Sequence, residues 1–554
     1  MSNLVSTFNQ KKAPYFLDEN WTWYYWKDII SSYQQGLIRS NSELNEIDGI
    51  DYFKMNFINE NGTYTFNGLP KTFATSEEID NYKIKNGDFF INVRNSKELV
   101  GKSCVVYDVN KNILFNHMLV RINHKEYVTG SFINAYFNTI FGKKLIETCK
   151  KGTTTVIALY QKDLYNIPIP IPKKNVLEGI DNIYNSINKK IKLNNRINAA
   201  LEAMAKTLYD YWFVQFDFPV SDALASTPLS QQSEAARERN NVAESEKNTV
   251  AEHEGVMVAE RSRGYKSSGG KMVYNEILKR EIPEGWEVTV FNDWIKNTKA
   301  GDWGKEAIEG NYTERVYCIR GADINGINGK GEVKAPERFI LKNNSSKKLM
   351  PNDFVVEISG GSPVQSTGRI ALITESTLER FDTDIICSNF CKAVSIKDEK
   401  YIYNFKQEWQ RLYNAGVFFG FEGKTSGIKN FLFDSFMNSY SIVLPQKEIV
   451  EKYYEFAQSI DKKIQSNLKQ NQELSVLRDW LLPMLMNGQV NVGEAEEQVL
   501  GIVTKPDAFY NRSSQKKDDE LFEVWLKEEG LAARGDIDRA TLRELFDAMD
   551  DEDK

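Results

Sequence analysis

The chain has 554 residues, of which 41% are hydrophobic and 27% are charged, and its formal net charge is −7. This length exceeds what a single core usually supports, so three or four domains are expected. No run approaches the ~20 apolar residues that a membrane span requires, which excludes a transmembrane chain. Five scattered cysteines and the lack of a signal peptide predict reduced thiols in a cytoplasmic protein.

The negative charge is concentrated at the C-terminus. Residues 491–554 hold 18 acidic and 9 basic side chains, so the other 490 residues carry a net charge of +2. The body of the chain is therefore nearly neutral and can present local basic faces to a polyanion. Net charge alone does not decide whether the protein binds nucleic acid.

Residues 1–175 are predicted to form a mixed α/β domain that opens with a stretch dense in aromatic residues. Asn86, Gly87 and Asp88 predict a turn before a strand, and Pro168–Pro172 ends the last strand of the domain. The segments that favour regular structure are the strand candidates FFINV, CVVYDV and LFNHMLVRI, and a helix over residues 133–150.

A long amphipathic helix is predicted over 176–216, and a second one over 446–490. Apolar residues recur at three- and four-residue spacing in both, which predicts one apolar face on each helix. The two stretches align without a gap at a constant offset of 273 residues, as in Ile187 and Ile460. Two such helices can pair as an antiparallel coiled coil. Polar residues on the seam would set the register, and the candidates are Asn194, Asn198, Asn467 and Asn471.

The rest of the chain repeats this plan. Residues 217–280 form a linker with an Ala/Glu/Ser-rich insertion at about 225–258, which predicts an exposed connection. Residues 281–445 repeat the first domain faintly, with Trp21 and Trp286 offset by 265 residues. Residues 491–554 form the acidic tail, with two candidate short helices. The expected order is domain, helix, linker, domain, helix and tail, which is a duplication of one unit.

The framework of the two domains repeats, but residues 40–80 and 305–345 share little sequence. Two copies of one scaffold that carry different interiors predict two different ligands held at a fixed distance.

Catalytic motifs are weak throughout. Gly423, Lys424 and Thr425 resemble the end of a phosphate-binding loop, but the earlier glycine of that motif is missing. No Pro-Pro occurs, so the catalytic loop of an amino-methyltransferase is absent. A carboxylate, carboxylate and lysine set typical of nucleases can be drawn from Asp323, Glu332 and Lys334, but this pattern is common by chance.

Metal and nucleophile signals are also weak. Cys387 and Cys391 have no second pair of cysteines, so buried core thiols are favoured over a zinc site. None of the three histidines lies at metal-ligand spacing from another ligand type. No catalytic residue and no metal site is predicted.

Polar loops that recur in both domains favour nucleic-acid contact. Ammonium, hydroxyl and backbone N–H groups around a glycine suit phosphate oxygens, while Arg, Asn and Gln side chains can reach base edges in a major groove. The alternative for each residue is an ordinary solvated loop. The candidates are Arg94, Asn95, Ser96, Lys151, Thr153, Thr154, Ser359, Ser362, Gln365, Lys424, Thr425, Ser426, Lys429 and Asn430.

The order of these motifs resembles the specificity subunits of type I restriction–modification systems, over about residues 14–490. The resemblance rests on paired motifs that open each domain, precede a strand, precede the final strand and close each long helix. Glu19 to Trp21 and Pro283 to Trp286 open the domains, and Asn86 to Asp88 and Pro351 to Asp353 precede a strand. Gly152 to Thr154 and Gly423 to Thr425 precede the final strand. The segments IPIPIP and IVLPQ lead into the long helices, which end in LYDYWFVQFDFP and LRDWLLPMLMNGQV. The insertion and the acidic tail depart from the family pattern.

The resemblance implies an α/β (α+β) fold in which two long antiparallel coiled-coil helices separate two globular target recognition domains. Each domain would read one half of a split, asymmetric site on double-stranded DNA, and the helices would set the unread spacer. The chain itself would be non-catalytic. Two methyltransferase subunits and the restriction/translocase subunits would be its partners and would hold S-adenosylmethionine, ATP and Mg²⁺. The alternatives are an enzyme with its own methyltransferase or nuclease centre, and a coiled-coil scaffold that binds only proteins.

Overall fold

The computed structural model describes residues 21–45, 47–152, 156–220, 264–360, 365–425, 428–486 and 490–503, without the side chains of Lys424, Thr425 and Met486. The described chain divides into two compact units. Unit 1 contains the residues up to Leu193 together with 470–503, and unit 2 contains residues 194–469. Each unit therefore takes one half of each long helix. No helix in the described ranges is both long and apolar enough to cross a membrane.

Unit 1 is a mixed α/β unit with mostly short strands. In chain order its strands are β1 (Trp21–Tyr25), β2 (Ile30–Gln35), β3 (Ile50–Phe53), β4 (Lys71–Thr72), β5 (Phe89–Asn92), β6 (Arg94–Asn95), β7 (Ser103–Val105), β8 (Ile113–Phe115), β9 (Leu119–His124), β10 (Lys150–Gly152), β11 (Ile157–Leu159) and β12 (Pro168–Pro172). Its short α-helices span Trp26–Ile29, Ser76–Tyr82, Gly130–Asn138, Ile140–Cys149 and Gln161–Leu164.

Four sheets organise these strands. Their strand orders are β1-β12, β2-β9-β5-β7, β4-β3-β8 and β10-β11-β6. All the strand pairs are antiparallel except β3 with β8, which is parallel. The four residues of β5 are all buried, so this strand carries apolar side chains on both faces. Gly87 precedes β5 with a φ of +87°, a backbone region that glycine adopts without a steric penalty.

Unit 2 has the following strands in chain order: β13 (Met272–Asn275), β14 (Arg280–Pro283), β15 (Glu287–Val290), β16 (Ile295–Ala300), β17 (Tyr312–Ile319), β18 (Glu337–Leu341), β19 (Asp353–Glu357), β20 (Ser359–Gly360), β21 (Ile370–Ile373), β22 (Ile385–Cys387), β23 (Cys391–Ile396), β24 (Glu422–Thr425), β25 (Ile428–Phe431) and β26 (Ser441–Leu444). Its short α-helices span Phe291–Trp294, Ile324–Ile327, Glu375–Leu378, Ile402–Asn414 and Phe433–Ser439.

Unit 2 repeats every sheet of unit 1. Its strand orders β15-β26, β16-β23-β19-β21, β18-β17-β22 and β24-β25-β20 match those of unit 1 one for one, and β17 with β22 is again the parallel pair. The hairpin β13-β14 is additional. Asn352 takes the place of Gly87 before the buried strand and has a φ of +70°. The duplication predicted from the sequence is therefore present in the fold.

Two elements differ from the sequence prediction. The helix expected over 133–150 is two helices, because Thr139 is extended and its side chain accepts a hydrogen bond from Gly142 N over 3.0 Å, which starts a new helix. The stretch LFNHMLVRI is two strands, β8 and β9. Asn116 accepts a backbone hydrogen bond from Leu119 N over 2.9 Å, and this turn separates the two strands.

The two long helices span Lys174–Tyr209 and Lys447–Met486, and the first continues into a π-helical turn, Asp210–Val214. In unit 1, Arg478 donates to Asn188 over 3.3 Å. In unit 2, Tyr453 O–H donates to the carbonyl of Ala205 over 3.0 Å. In unit 1, therefore, the early part of the first helix lies beside the late part of the second. In unit 2, the late part of the first helix lies beside the early part of the second. The antiparallel pair predicted from the repeated stripe is confirmed.

The described start of the acidic tail is a helix, Val492–Val503, within unit 1. Ala495 and Val499 are buried in the same core cluster as Ile187 and Leu481 of the long helices. A side chain on Gly179 would collide with Val492, at 2.2 Å from a built Cβ. This glycine in the first long helix therefore makes room for the C-terminal helix.

Candidate nucleic-acid interface

The predicted contact residues of unit 1 meet on one three-stranded sheet. In β10-β11-β6, Lys151 lies opposite Ala158, and Ala158 lies opposite Arg94. Directly opposed residues of antiparallel strands project from the same face of a sheet. Lys151 and Arg94 are both exposed, so this outer face carries two cationic side chains on either side of a small residue.

The equivalent sheet of unit 2 has the same register. In β24-β25-β20, Gly423 lies opposite Asn430, and Asn430 lies opposite Ser359. The central residues Ala158 and Asn430 are 272 positions apart, like their neighbours Lys151 and Gly423. We call each set of three opposed residues a row. The row of unit 1 contains two cationic side chains, whereas the row of unit 2 contains a glycine, an amide and a hydroxyl.

Apolar side chains flank the central residue of both rows. Side chains two positions apart on an extended strand share a face, and the neighbours of Ala158 and Asn430 at this spacing are all exposed. They are Val156 (45%), Tyr160 (52%), Ile428 (43%) and Leu432 (47%). These four residues are not among the contacts predicted from the sequence. The sequence does contain a signal for them. In both segments an apolar residue, then a small or polar residue, then another apolar residue occupy alternate positions, and the two segments are offset by 272 residues.

The predicted residues of unit 1 also have internal partners. Lys151 Nζ forms an ion pair with Asp163 Oδ1 at 2.6 Å. Ser96 N donates to Asn95 Oδ1 over 2.6 Å. The Ser96 carbonyl accepts from Leu99 N and Val100 N. The turn after β6 is thus held by its own hydrogen bonds, and Arg94 is the exposed cation at its start.

In unit 2 the structure brings Ser359 and Asn430 together. Ser359 Oγ donates to Asn430 Oδ1 over 2.7 Å, and this bond fixes the orientation of the amide on the outer face. Gln365 is exposed, and its backbone carbonyl accepts from Lys429 Nζ over 3.4 Å. Asn430 is half-buried, and an oriented amide suits bidentate recognition of an adenine edge.

Lys429 has a structural partner on the opposite face of the same sheet. Its ammonium lies 3.1 Å from Glu422 Oε2, and both side chains are nearly buried. The other oxygen of Glu422 accepts from Thr367 N over 2.8 Å and from Ser366 Oγ over 3.0 Å. Burial acts to raise the pKa of Glu422, but the bonds from Thr367 and Lys429 outweigh it and hold the pKa below its ordinary value. This network fastens Ser366 and Thr367 to the sheet.

Several predicted residues are outside this description. Thr153, Thr154, Ser362 and Ser426 lie outside the described residues, and the side chains of Lys424 and Thr425 are not described. The backbone of Gly423, Lys424 and Thr425 is part of β24. A phosphate-binding loop leads from a strand into a helix, so the strand conformation supports the rejection of such a loop.

The candidate nuclease set is engaged in structural contacts. Asp323 is buried and accepts from Arg320 Nε over 2.8 Å and from Lys334 N over 3.0 Å. Its carboxylate therefore caps a turn and is not directed at solvent. Cys387 and Cys391 are buried in a core cluster, and burial raises the pKa of the Cys387 thiol to about 12. In the described ranges, no group of three or more His, Cys, Asp or Glu is arranged to hold a metal ion.

The four asparagines predicted to set the helix register are all buried in the structure: Asn194, Asn198, Asn467 and Asn471. In unit 2, Asn467 Nδ2 donates to Asn198 Oδ1 over 2.8 Å, so one residue from each long helix contributes to this bond.

Sequence comparison finds two curated relatives over most of their length. The chain is 23% identical over 356 residues to the type I restriction enzyme HindI specificity subunit of Haemophilus influenzae, covering 63% of this chain and 74% of the relative. It is 22% identical over 374 residues to the type I restriction enzyme MjaIX specificity subunit of Methanocaldococcus jannaschii, covering 67% and 71%. No family model matches the sequence.

Solved structures give weaker matches. The S subunit of a type I restriction–modification system from M. genitalium matches with a TM-score of 0.46 and 13% identity, over 85% of this chain and 97% of that chain. The HsdS subunit from Thermoanaerobacter tengcongensis matches with a TM-score of 0.26 and 14% identity, over 86% and 99%. Scores this low do not establish a shared fold, so the architecture rests on the strands and helices described above. The sequence relatives show that the chain is related to the specificity subunits of type I restriction enzymes, as its motifs predicted.

Proposed function

We propose that the chain is the DNA-recognition subunit of a type I restriction–modification complex in the cytoplasm. Each unit would read one half of a split, asymmetric site on double-stranded DNA. The long helices would set the spacer between the two halves, because each of them is continuous from one unit into the other.

The observation that carries this proposal is one sheet register with different side chains in the two units. Unit 1 presents Lys151, Ala158 and Arg94 in the row where unit 2 presents Gly423, Asn430 and Ser359. Arg pairs best with guanine and Asn with adenine in the major groove. Two equivalent faces with different donor patterns would select two different half-sites, which suits an asymmetric target.

The chemistry of the complex would belong to partner subunits. Two methyltransferase subunits would dock on the long helices, and restriction/translocase subunits would join them. S-adenosylmethionine, ATP and Mg²⁺ would be bound by these partners. The engaged carboxylate of Asp323 supports this division, because the one candidate nuclease carboxylate with described contacts already serves the fold.

A genome-wide map of N6-methyladenine tests the proposal. The chain would be co-expressed with the methyltransferase subunit encoded beside it. We expect a split motif, and exchange of residues 21–172 or 281–445 for the matching segment of a relative should change one half at a time. The methyltransferase without this chain is the control and should give no motif. A continuous motif, or one that neither exchange alters, would contradict the proposal.

A further inference from the structure

Unit 2 contains a cavity of about 170 Å³ that the proposed function does not use. It lies between the end of the first long helix, strand β14, the helix Ile402–Asn414 and strand β26. Its polar and charged walls include Tyr209, Arg280, Trp294, Asn404, Glu408 and Arg411. Since one water occupies a share of about 30 Å³ in the liquid, there is room for a ligand with several non-hydrogen atoms.

Four buried polar atoms that belong to residues lining the cavity have no hydrogen-bond partner among the described residues. They are Arg280 Nε, Trp294 Nε1, and both Nδ2 and Oδ1 of Asn404. Trp294 and Asn404 are buried, with Asn404 completely inaccessible to solvent. Buried polar groups are normally paired, and each unpaired one costs stability. A cluster of three donors and one acceptor around one cavity indicates a bound group that would satisfy them.

The cavity also has one unbalanced positive charge. Glu408 receives two hydrogen bonds from Arg411, at 2.8 and 2.6 Å, and a third from the Tyr209 hydroxyl at 3.1 Å. These contacts neutralise the Glu408 and Arg411 pair. Arg280 has no carboxylate within 4.0 Å in the described chain, and its guanidinium lies over the Phe216 ring at 4.6 Å. Burial and the charge of Arg411 lower the pKa of Arg280, and the charge of Glu408 only partly offsets them.

We propose that this cavity is a binding site for a small oxyanion of the phosphate class, with Arg280 as its counter-ion. Arg280 Nε, Trp294 Nε1 and the Asn404 amide nitrogen would donate to its oxygens. The amide oxygen of Asn404 would accept from a protonated oxygen of the anion. Hydrogen phosphate carries such an O–H at neutral pH, whereas acetate does not. A phosphomonoester carries one only as its monoanion, which is the minor form at neutral pH because its second pKa is about 6. Phosphate should therefore bind more tightly than acetate.

Titration calorimetry on the full chain in chloride buffer tests the site, with inorganic phosphate, methyl phosphate and acetate compared at equal ionic strength. We expect saturable binding of one phosphate per chain, with acetate at least about tenfold weaker because one hydrogen bond to a charged group is lost. Inorganic phosphate binding in preference to methyl phosphate would identify the free ion as the ligand, and the reverse order would identify a phosphomonoester.

Variants assign the binding to this cavity. Arg280→Gln should weaken phosphate binding at least about tenfold, and Trp294→Phe, which removes one N–H and keeps the ring, should weaken it about fivefold or more. Lys279→Gln removes a neighbouring exposed cation and should leave the affinity unchanged. Because Trp294→Phe keeps the packing of the aromatic ring, this variant still tests the site if Arg280→Gln fails to fold. Absence of saturable phosphate binding, or equal affinity in the Trp294→Phe and parent chains, would overturn the proposal.

Discussion

Asn467 donates a hydrogen bond to Asn198 over 2.8 Å, and both side chains are buried between the two long helices of unit 2. A polar pair inside an otherwise apolar seam contributes less stability than a leucine pair would. It disfavours every slipped register, however, because any shift places an unpaired amide against apolar side chains. This bond ties the spacing of the helix pair to two particular residues.

Replacement of one member of this pair should be more harmful than replacement of both. Asn467→Leu leaves the Asn198 carbonyl oxygen without its donor, so we expect a loss of about 1–3 kcal/mol in the free energy of unfolding. Asn198→Leu combined with Asn467→Leu should recover most of this loss, as measured by chemical denaturation. Ser466→Leu at the adjacent exposed position is the control. Additive losses in the double variant would show that the two side chains are not coupled.

A buried aspartate lies at the start of strand β5 in unit 1 and of strand β19 in unit 2, but its cation comes from different strands. Asp88 pairs with Arg121 of β9 at 3.0 Å, whereas Asp353 pairs with Lys299 of β16 at 2.8 Å. The carboxylate is kept at the repeated offset of 265, and the positive charge has moved to a neighbouring strand. Both units thus neutralise the buried carboxylate, but each uses a cation from a different strand.

Lys299→Met should destabilise unit 2 by about 3 kcal/mol, because it leaves the Asp353 charge buried without its cation. Adding Asp353→Asn should restore much of the loss, since the amide carries no charge. Thermal unfolding at pH 7 measures both variants, with Lys296→Met on the same strand as an exposed control. If Lys299→Met alone unfolds at the parent temperature, the ion pair does not hold the strand.

The first long helix contains a carboxyl whose charge opposes folding. Burial raises the pKa of Asp181 to about 6, from 3.8 in the unfolded chain. Between these values the unfolded state loses its proton first, so stability falls as the pH rises and the full penalty applies above pH 6. We therefore expect Asp181→Asn to stabilise unit 1 at pH 7 and above by up to about 3 kcal/mol.

This gain should vanish near pH 4, where Asp181 is protonated in the folded parent protein. The comparison needs unfolding curves of the parent and the variant from pH 4 to pH 8. Glu178→Gln makes the same carboxyl-to-amide change at an exposed position of the helix and should show no such pH dependence. A stability difference that is constant over this range would contradict the raised pKa.

Periodicity and offset predicted the framework of the fold from the sequence. The stripe of Ile187 and its repeat in the second helix gave the antiparallel pair, because a long apolar face must be covered by another element. The turn before the buried strand was visible as Asn86-Gly-Asp88. These signals are local or strictly repeated, so they are visible without knowledge of the tertiary contacts.

The sheet pairings were less accessible. Residues 40–80 and 305–345 hardly match in sequence, yet β3-β4 and β17-β18 occupy the same place in equivalent sheets. Strand order depends on contacts between distant segments, and short strands of two to four residues carry little periodicity. The partner of Lys429 was missed for the same reason, because Glu422 meets it only across the β24-β25 hairpin. Loop composition alone therefore overestimated how many cations are free for DNA.

The exposed apolar side chains beside Asn430 give the last prediction, which depends on the proposed DNA recognition. Ile428 and Leu432 flank the amide on the outer face of unit 2. Each lies two residues from Asn430, about 7 Å along the strand, which corresponds to about two base-pair steps. Apolar side chains in the major groove contact the thymine methyl group. Replacing thymine by uracil in the half-site read by unit 2 should weaken binding about fourfold for each contacted methyl group, since one such group contributes about 0.8 kcal/mol.

The complex carrying Ile428→Ala and Leu432→Ala should bind the thymine and uracil duplexes with nearly equal affinity, whereas the parent complex should prefer thymine. Fluorescence anisotropy on the methylation-mapped target measures both ratios at one salt concentration, because phosphate contacts make affinity depend on salt. Ile277→Ala alters another exposed isoleucine of unit 2 and should keep the preference. If the ratio of the affinities for the thymine and uracil duplexes is the same in the parent and the variant, these side chains have no role in reading the base. If the parent complex shows no specific binding at all, DNA recognition itself is rejected.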